Sequence, residues 1–153
     1  MMYVESLVVA FALAFPGEMP NAVKPKTDAA PAEAAKKEKP ASLSMHPVEE
    51  QIIKFTNAER AKHGLPPLKA DTQLLKSARS HAMWMTTRRT LTHTRAAVAE
   101  NIALGQQSAR EVVRSWMNSS GHRANILSRR HGRIGVAAYV ANNGQIYWCQ
   151  QFE

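Results

Sequence analysis

The chain has one cysteine, Cys149, so no intramolecular disulfide can form and the fold must hold by packing alone. Its apolar run near the N-terminus, VVAFALAF at 8–15, is far short of the roughly 20 residues that span a bilayer. H-E-x-x-H, G-x-S-x-G, the P-loop and G-x-G-x-x-G are all missing. The commonest signatures of zinc proteases, α/β-hydrolases, NTPases and dinucleotide enzymes are therefore absent. There is no internal repeat. No nucleic-acid recognition motif and no basic-aromatic platform of the single-strand-binding kind occur, so specific nucleic-acid binding is not expected. Acidic residues are few, 12 against 20 Lys and Arg.

The chain of 153 residues divides by composition into three stretches. Residues 1–20 read as a signal peptide or apolar N-terminal segment, although Glu5 precedes the run and no Lys or Arg does. Residues 21–45, rich in Pro, Ala and Lys, read as a linker that buries nothing. Residues 46–153 read as one globular domain, long enough for a modest core. Charge follows the same division. Residues 1–45 carry five Lys and five acids, whereas 46–153 carry 15 Lys and Arg and seven acids, a net +8. Such a surface favours anionic partners, and most of the arginines are expected on solvated faces.

Periodicity predicts a helix from about Pro47 to His63, with Val48, Ile52, Phe55 and Ala58 on one face and Gly64 as the stop. A second helix is predicted from the cap Asp71 to about Arg88, with Leu74, Ala78, His81 and Met85 as its stripe. A third opens with Ser108 and Glu111 as an S-x-x-E capping box and continues through Val112, Val113, Trp116 and Met117. RIGVAAYV (133–140) and QIYWCQQF (145–152) read as two strands joined by ANNG (141–144), whose Asn and Gly supply positive-φ positions. Helices with a terminal hairpin predict an α+β fold, helices packed on a small antiparallel sheet. Cys149 in the last strand reads as a small buried hydrophobe.

Three residues carry the chemistry. His93 in LTHT, Glu100 in AENIALG and His122 in SWMNSSGHRANIL are two imidazoles and a carboxylate, the minimum for a divalent metal or for proton transfer near neutral pH. The local sequence of His93 fits an exposed loop residue as well as one aimed into a cleft. Glu100 lies in an apolar run, where a carboxylate must find a partner, so it reads as paired and half-buried. Gly121 is expected in the left-handed conformation past the third helix, which would put His122 at the start of a short helix where the neutral imidazole is favoured. A His merely packing at that turn fits equally. Ser119 stands close enough in sequence to His122 for a Ser-His pair, which makes Glu100, His122 and Ser119 the catalytic candidates. His81 reads as a core residue, and His46, His63 and His131 read as surface.

These motifs, in order, resemble the CAP superfamily of cysteine-rich secretory, antigen and pathogenesis-related proteins, and most closely its short bacterial, SCP-like extracellular branch. NAERAKHGLPPL (57–68), AENIALG, SWMNSSGHRANIL, IGVAAY and YWCQQF carry the resemblance across 46–153. It implies an α-β-α sandwich with an open cleft lined by two His and two acids that can hold a divalent metal such as zinc. His93, Glu100 and His122 fall on matching positions; the second acid is replaced by Ser119. The implied ligand cleft is therefore His93, Glu100, His122 and Ser119, with His93, His122 and Glu100 as the metal set. It also implies a secreted or extracytoplasmic protein that binds an anionic envelope polymer, a lipid or a peptide, with binding favoured over catalysis. Two rival readings remain: a metal-assisted or Ser/His hydrolase with Glu100 as general base, and a polar network that serves stability alone.

Overall fold

A computed structural model of the chain describes residues 44–153. The signal-peptide and linker assignments, apart from the last two linker residues, lie outside the described residues. The element order is α1 (Pro47–Lys62), β1 (Lys69–Ala70), α2 (Thr72–Arg88), β2 (Ala99–Leu104), α3 (Ala109–Met117), α4 (Ser120–Ile126), β3 (Arg133–Val140) and β4 (Ile146–Phe152). The strands form one sheet in the order β1-β3-β4-β2. The β3-β4 and β4-β2 pairs are antiparallel; the two-residue β1 adds a parallel edge to β3.

Both faces of the sheet are covered, which makes the α-β-α sandwich. Alternate side chains along each strand point to opposite faces. Ala103, Ile134, Val136, Trp148 and Phe152 meet Ile52, Val112, Trp116 and Ile126 from α1, α3 and α4. Ile102, Ala137, Tyr147 and Cys149 meet Ala78, Ala82 and Met85 of α2 on the other side. Of the predicted stripe of α2, Leu74, Ala78 and Met85 are buried and His81 is half-buried, and Asp71 caps the helix by accepting from the N–H groups of Gln73 and Leu74. Ser108 caps α3 through the Glu111 N–H, but the Glu111 carboxylate accepts from Gln107 N rather than closing the box on Ser108.

The structure departs from expectation in three places. Helix α1 buries Glu49, Ile52, Thr56 and Arg60, and leaves Ala58 exposed. Its inner line is polar because Glu49, Thr56 and Arg60 each find a partner, although one terminal nitrogen of Arg60 is left without one. Glu49 forms an ion pair with Arg79 and Thr56 accepts from Gln150. Gly121 is not left-handed; Ser119 is the N-cap of α4, and Gly121 lies inside that helix. In the hairpin turn only Gly144 takes positive φ (+80°); neither asparagine does, because the longer loop closes through Ala141 N–H to Gln145 O.

Arg60 explains the NAER…GLPPL motif. Its Nε donates to Pro66 O at 2.9 Å, and one terminal nitrogen donates to Ile126 O at 2.7 Å and Ser128 O at 2.8 Å. Asn57 holds the same loop by a two-way pair with the main chain of Leu68. One buried guanidinium thus joins α1, the PPL loop and the end of α4. Each buried carbonyl left unpaired costs about 1–3 kcal/mol. Arg60→Met is expected to lower stability by more than about 2 kcal/mol, read as a shift in the urea midpoint.

Candidate functional site

Strand β2 aims the acid. Its alternation sends Ala103 and Asn101 toward α3 and α4, and Glu100 and Ile102 toward α2. The register sets Glu100 opposite Gln151 and Ile102 opposite Cys149. Helix α2 ends at Arg89, which is left-handed (φ 50°), and the loop that follows carries His93 back over the sheet.

Glu100 is 8% exposed and is surrounded by donors. Its Oε1 accepts from His93 Nδ1 and from the Thr94 N–H, each at 2.9 Å. Its Oε2 accepts from Gln151 Nε2 at 2.8 Å, and the Cys149 thiol lies at 3.5 Å. His81 Nε2 stands 3.7 Å from the same oxygen. Burial on its own would raise the carboxyl pKa. The bonds from Gln151, Thr94 and His93, with the nearby His81 charge, outweigh it and the net shift is downward. Cys149 goes the other way: burial, then the Glu100 charge, push its thiol well above the ordinary range, so it is a buried thiol and not a reactive one.

The carboxylate fixes the ring it touches. A carboxylate oxygen only accepts, so His93 carries its proton on Nδ1, and the lone pair of the neutral ring sits on Nε2. Likewise His81 Nε2 lies 2.8 Å from Thr92 O and must carry its proton there. His93 is largely exposed (59% of its side chain) and His81 largely buried (11%).

His122 arrives by a different route. Asn125 Nδ2 donates to Glu100 O (3.2 Å) and to Asn101 Oδ1 (2.9 Å), and Asn101 Nδ2 donates to His122 O (3.1 Å). The asparagines of the AEN and GHRANIL motifs thus clasp α4 to β2 and fix the His122 main chain against that strand. Burial, and then the His93 charge, depress the His122 pKa, which favours the neutral ring. Trp116 in the same motif donates its indole N–H to Ile102 O.

A cavity of about 460 Å³ opens beside this cluster, lined by His81, Trp84, Thr92, His93, Thr94 and Arg95. Of the residues singled out by sequence, His93 and Glu100 are in direct contact and His93 lines the cavity; the His122 side chain bonds neither of them and does not line it. Ser119 is the N-cap of α4, and its hydroxyl makes no capping bond. It does not line the cavity. As a metal centre the set does not fit with Glu100 as third ligand, because protein donors occupy both its oxygens. Among the described residues no three His, Cys, Asp or Glu side chains are grouped to hold a metal ion.

His81 is a correction: it lies on the α2 stripe, yet it bonds the His93 loop and walls the cavity. His131 is another. It is half-buried and stacked on Phe152, and burial, with Arg60 and Arg130 nearby, lowers its pKa. Sequence reasoning also missed Trp84, Gln151 and the Asn101–Asn125 clasp. The alternation of YWCQQF could have pointed to Gln151, which shares the Cys149 face.

A model of the cysteine-rich secretory protein family, CAP, matches residues 53–152. The uncharacterized Bacillus subtilis protein YkwD is 40% identical over 130 residues, which cover 74% of this chain and 49% of YkwD. This chain therefore spans about half the length of that relative. An extracellular SCP-domain protein from Bacillus anthracis superposes with a TM-score of 0.62 at 25% identity, over 72% of this chain and 44% of that one. An outer surface protein from Borrelia burgdorferi also gives 0.62, at 22% identity, over 67% of this chain and 89% of the other. The last likeness is one of fold.

Proposed function

The chain belongs to the cysteine-rich secretory protein family, and from that premise we propose that it is an exported binding module. Residues 1–20 direct export, 21–45 form a tether, and 46–153 offer the His93–Glu100–His122 cleft to an envelope component, a lipid or a peptide. Two features support export: the short apolar run at 8–15, and the extracellular description of the Bacillus anthracis relative. No helix among the described residues is long and apolar enough to cross a membrane. The net +8 of residues 46–153 favours an anionic partner.

The observation that carries the reading is the anchored carboxylate beside an open cavity. Glu100 is bonded at both oxygens and held ionised. A general base must reach water and hold a proton readily; Glu100 is buried, does not line the cavity and has its pKa lowered by its donors. Its work is to hold His93, with Nε2 left for a ligand. The hydrolase reading thereby loses its base, and Ser119 supplies no partnered nucleophile. A divalent ion would rest on His93 and His122 with ligands from outside the chain, which makes for weak binding.

The test is a thermal-shift series on the full chain with Zn²⁺, Mg²⁺, Ca²⁺, anionic lipid vesicles and solubilised wall fragments, repeated on His122→Ala. Zn²⁺ is expected to raise the Tm of the parent by only about 2–5 °C, and that of the variant not at all. At least one envelope preparation should also separate parent from variant. A panel that moves neither protein overturns the reading.

A further inference from the structure

The polar cluster leaves one wall of the cavity unused. Trp84 follows His81 by one helical turn on α2 and is 44% exposed, an unusual setting for the largest apolar side chain. Its ring lies nearly parallel to the His81 imidazole, 5.8 Å between centroids and 10° between planes. His81 in turn is pinned by Thr92 O. The indole is thus an oriented, solvent-facing plane at the cavity wall. Arg95 is exposed on the same lining. It takes part in none of the ion pairs among the described residues. Thr94 shares the lining; its Oγ1 accepts from Ala96 N and keeps its own proton to donate.

Resting on the binding reading above, we propose that this cleft takes a sugar ring bearing an anionic group, with Trp84 and Arg95 as its two main contacts. The C–H face of the sugar lies on the indole, and the guanidinium takes the carboxylate or phosphate. Thr94 and the Nε2 of His93 meet ring hydroxyls. An aromatic plane satisfies an apolar ring face at small conformational cost. A guanidinium matches either anion with two parallel bonds. A volume of about 460 Å³ lies within the range of pockets that hold small ligands.

The same lining argues against the other ligands. A bare acyl chain offers the Arg95 guanidinium no partner, whereas an anionic sugar does. An extended peptide needs main-chain partners, yet the Thr94 N–H is taken by Glu100 and the Thr92 carbonyl by His81.

Trp116 and Trp148 are 1% and 2% exposed, so a ligand-induced change in tryptophan emission reports Trp84. The full chain is titrated with N-acetylmuramic acid, glucuronate, glucose 1-phosphate, neutral glucose and octanoate, following emission. The acidic sugars are expected to bind at least tenfold tighter than glucose. Glucuronate against glucose 1-phosphate tells carboxylate from phosphate. Trp84→Ala, read by calorimetry, should weaken acidic-sugar binding at least tenfold, and Arg95→Gln should bring acidic and neutral sugars to within about threefold of each other. Both positions face solvent, so the variants should fold as the parent does.

Equal binding of glucose and glucuronate overturns the proposal, as does binding of octanoate alone. Silence from every sugar overturns it too. If sugars fail while Zn²⁺ or vesicles still separate the parent from His122→Ala, the cleft reading survives and only the saccharide inference falls.

Discussion

Gly135→Ala is expected to unfold the domain or to cost more than about 4 kcal/mol, among the largest effects a single methyl can have. Gly135 lies on β3 against the first turn of α2. A Cβ there would fall inside the backbone of Leu74 and Leu75. Backbone cannot rotate away as a side chain can, so either α2 or β3 must shift. Neither is free to do so. Asp71 caps α2, its N–H donates to Ile134 O, and its carboxylate pairs with Arg133. The contrast is Gly121→Ala. That glycine sits in α4 with nothing within 4 Å of an added methyl, and its φ is not positive. Alanine there should stabilise by about 0.5–1 kcal/mol, because glycine gives up more freedom in a helix. Urea melts of the two variants check both signs. If both behave alike, the packing of β3 on α2 described above is wrong.

Glu100→Ala is the second. It removes the acceptor for His93 Nδ1–H, Thr94 N–H and Gln151 Nε2–H at once. The loss leaves unpaired hydrogen-bond donors behind, at about 1–3 kcal/mol for each that stays buried. Glu100→Gln should cost less, since one oxygen still accepts. The pH dependence separates the two ideas of what Glu100 does. Its folded-state pKa lies below the ordinary value, so the unfolded chain binds the proton more readily. The carboxylate therefore contributes stability that is complete above about pH 4.3 and is lost as pH falls through the lower folded value. The gap between parent and Glu100→Gln should close as pH is taken below that range. His122 has the same sign in a different window. Its folded pKa is depressed, so stability is full above about pH 6.5 and declines as pH falls toward the folded value. His131, also depressed, acts over the same window, so His122→Ala should reduce that first decline without removing it, and should leave the second unchanged.

Much of the scaffold could be read from periodicity. The stripes of α2 and α3 keep the helical period, and β3 and β4 were legible from their β-branched and aromatic residues on either side of the ANNG turn. Strand β2 was not legible as a strand. Both faces of this sheet are buried, so AENIAL shows no outward polar row, and its Glu and Asn look like loop residues. The polar inner line of α1 was hidden for a related reason. Glu49, Thr56 and Arg60 are buried only because partners distant in sequence satisfy them, and a local pattern cannot show those partners. At the site, the cost of burying a carboxylate pointed to a paired Glu100. Its surroundings could not be read, because the donor Gln151 comes from the neighbouring strand, and His81, 3.7 Å away, comes from a helix stripe that otherwise packs the core. Gly121 misled because glycine after a helix usually marks a left-handed stop, whereas here the N-cap Ser119 starts a new helix first.

One buried carboxylate sets the tautomer of the His93 imidazole at the cleft. The most direct measurement is the ¹⁵N spectrum of the histidine rings in the full chain, free, with glucuronate and wall fragments, and in Glu100→Ala. The structure predicts His93 protonated on Nδ1 and His81 on Nε2. It predicts that the alanine variant releases His93 to both tautomers while Thr92 O still holds His81, and that ligand shifts the His93 Nε2 signal of the parent. A His93 ring that samples both tautomers in the parent, unchanged by loss of Glu100 and unmoved by ligand, would contradict it.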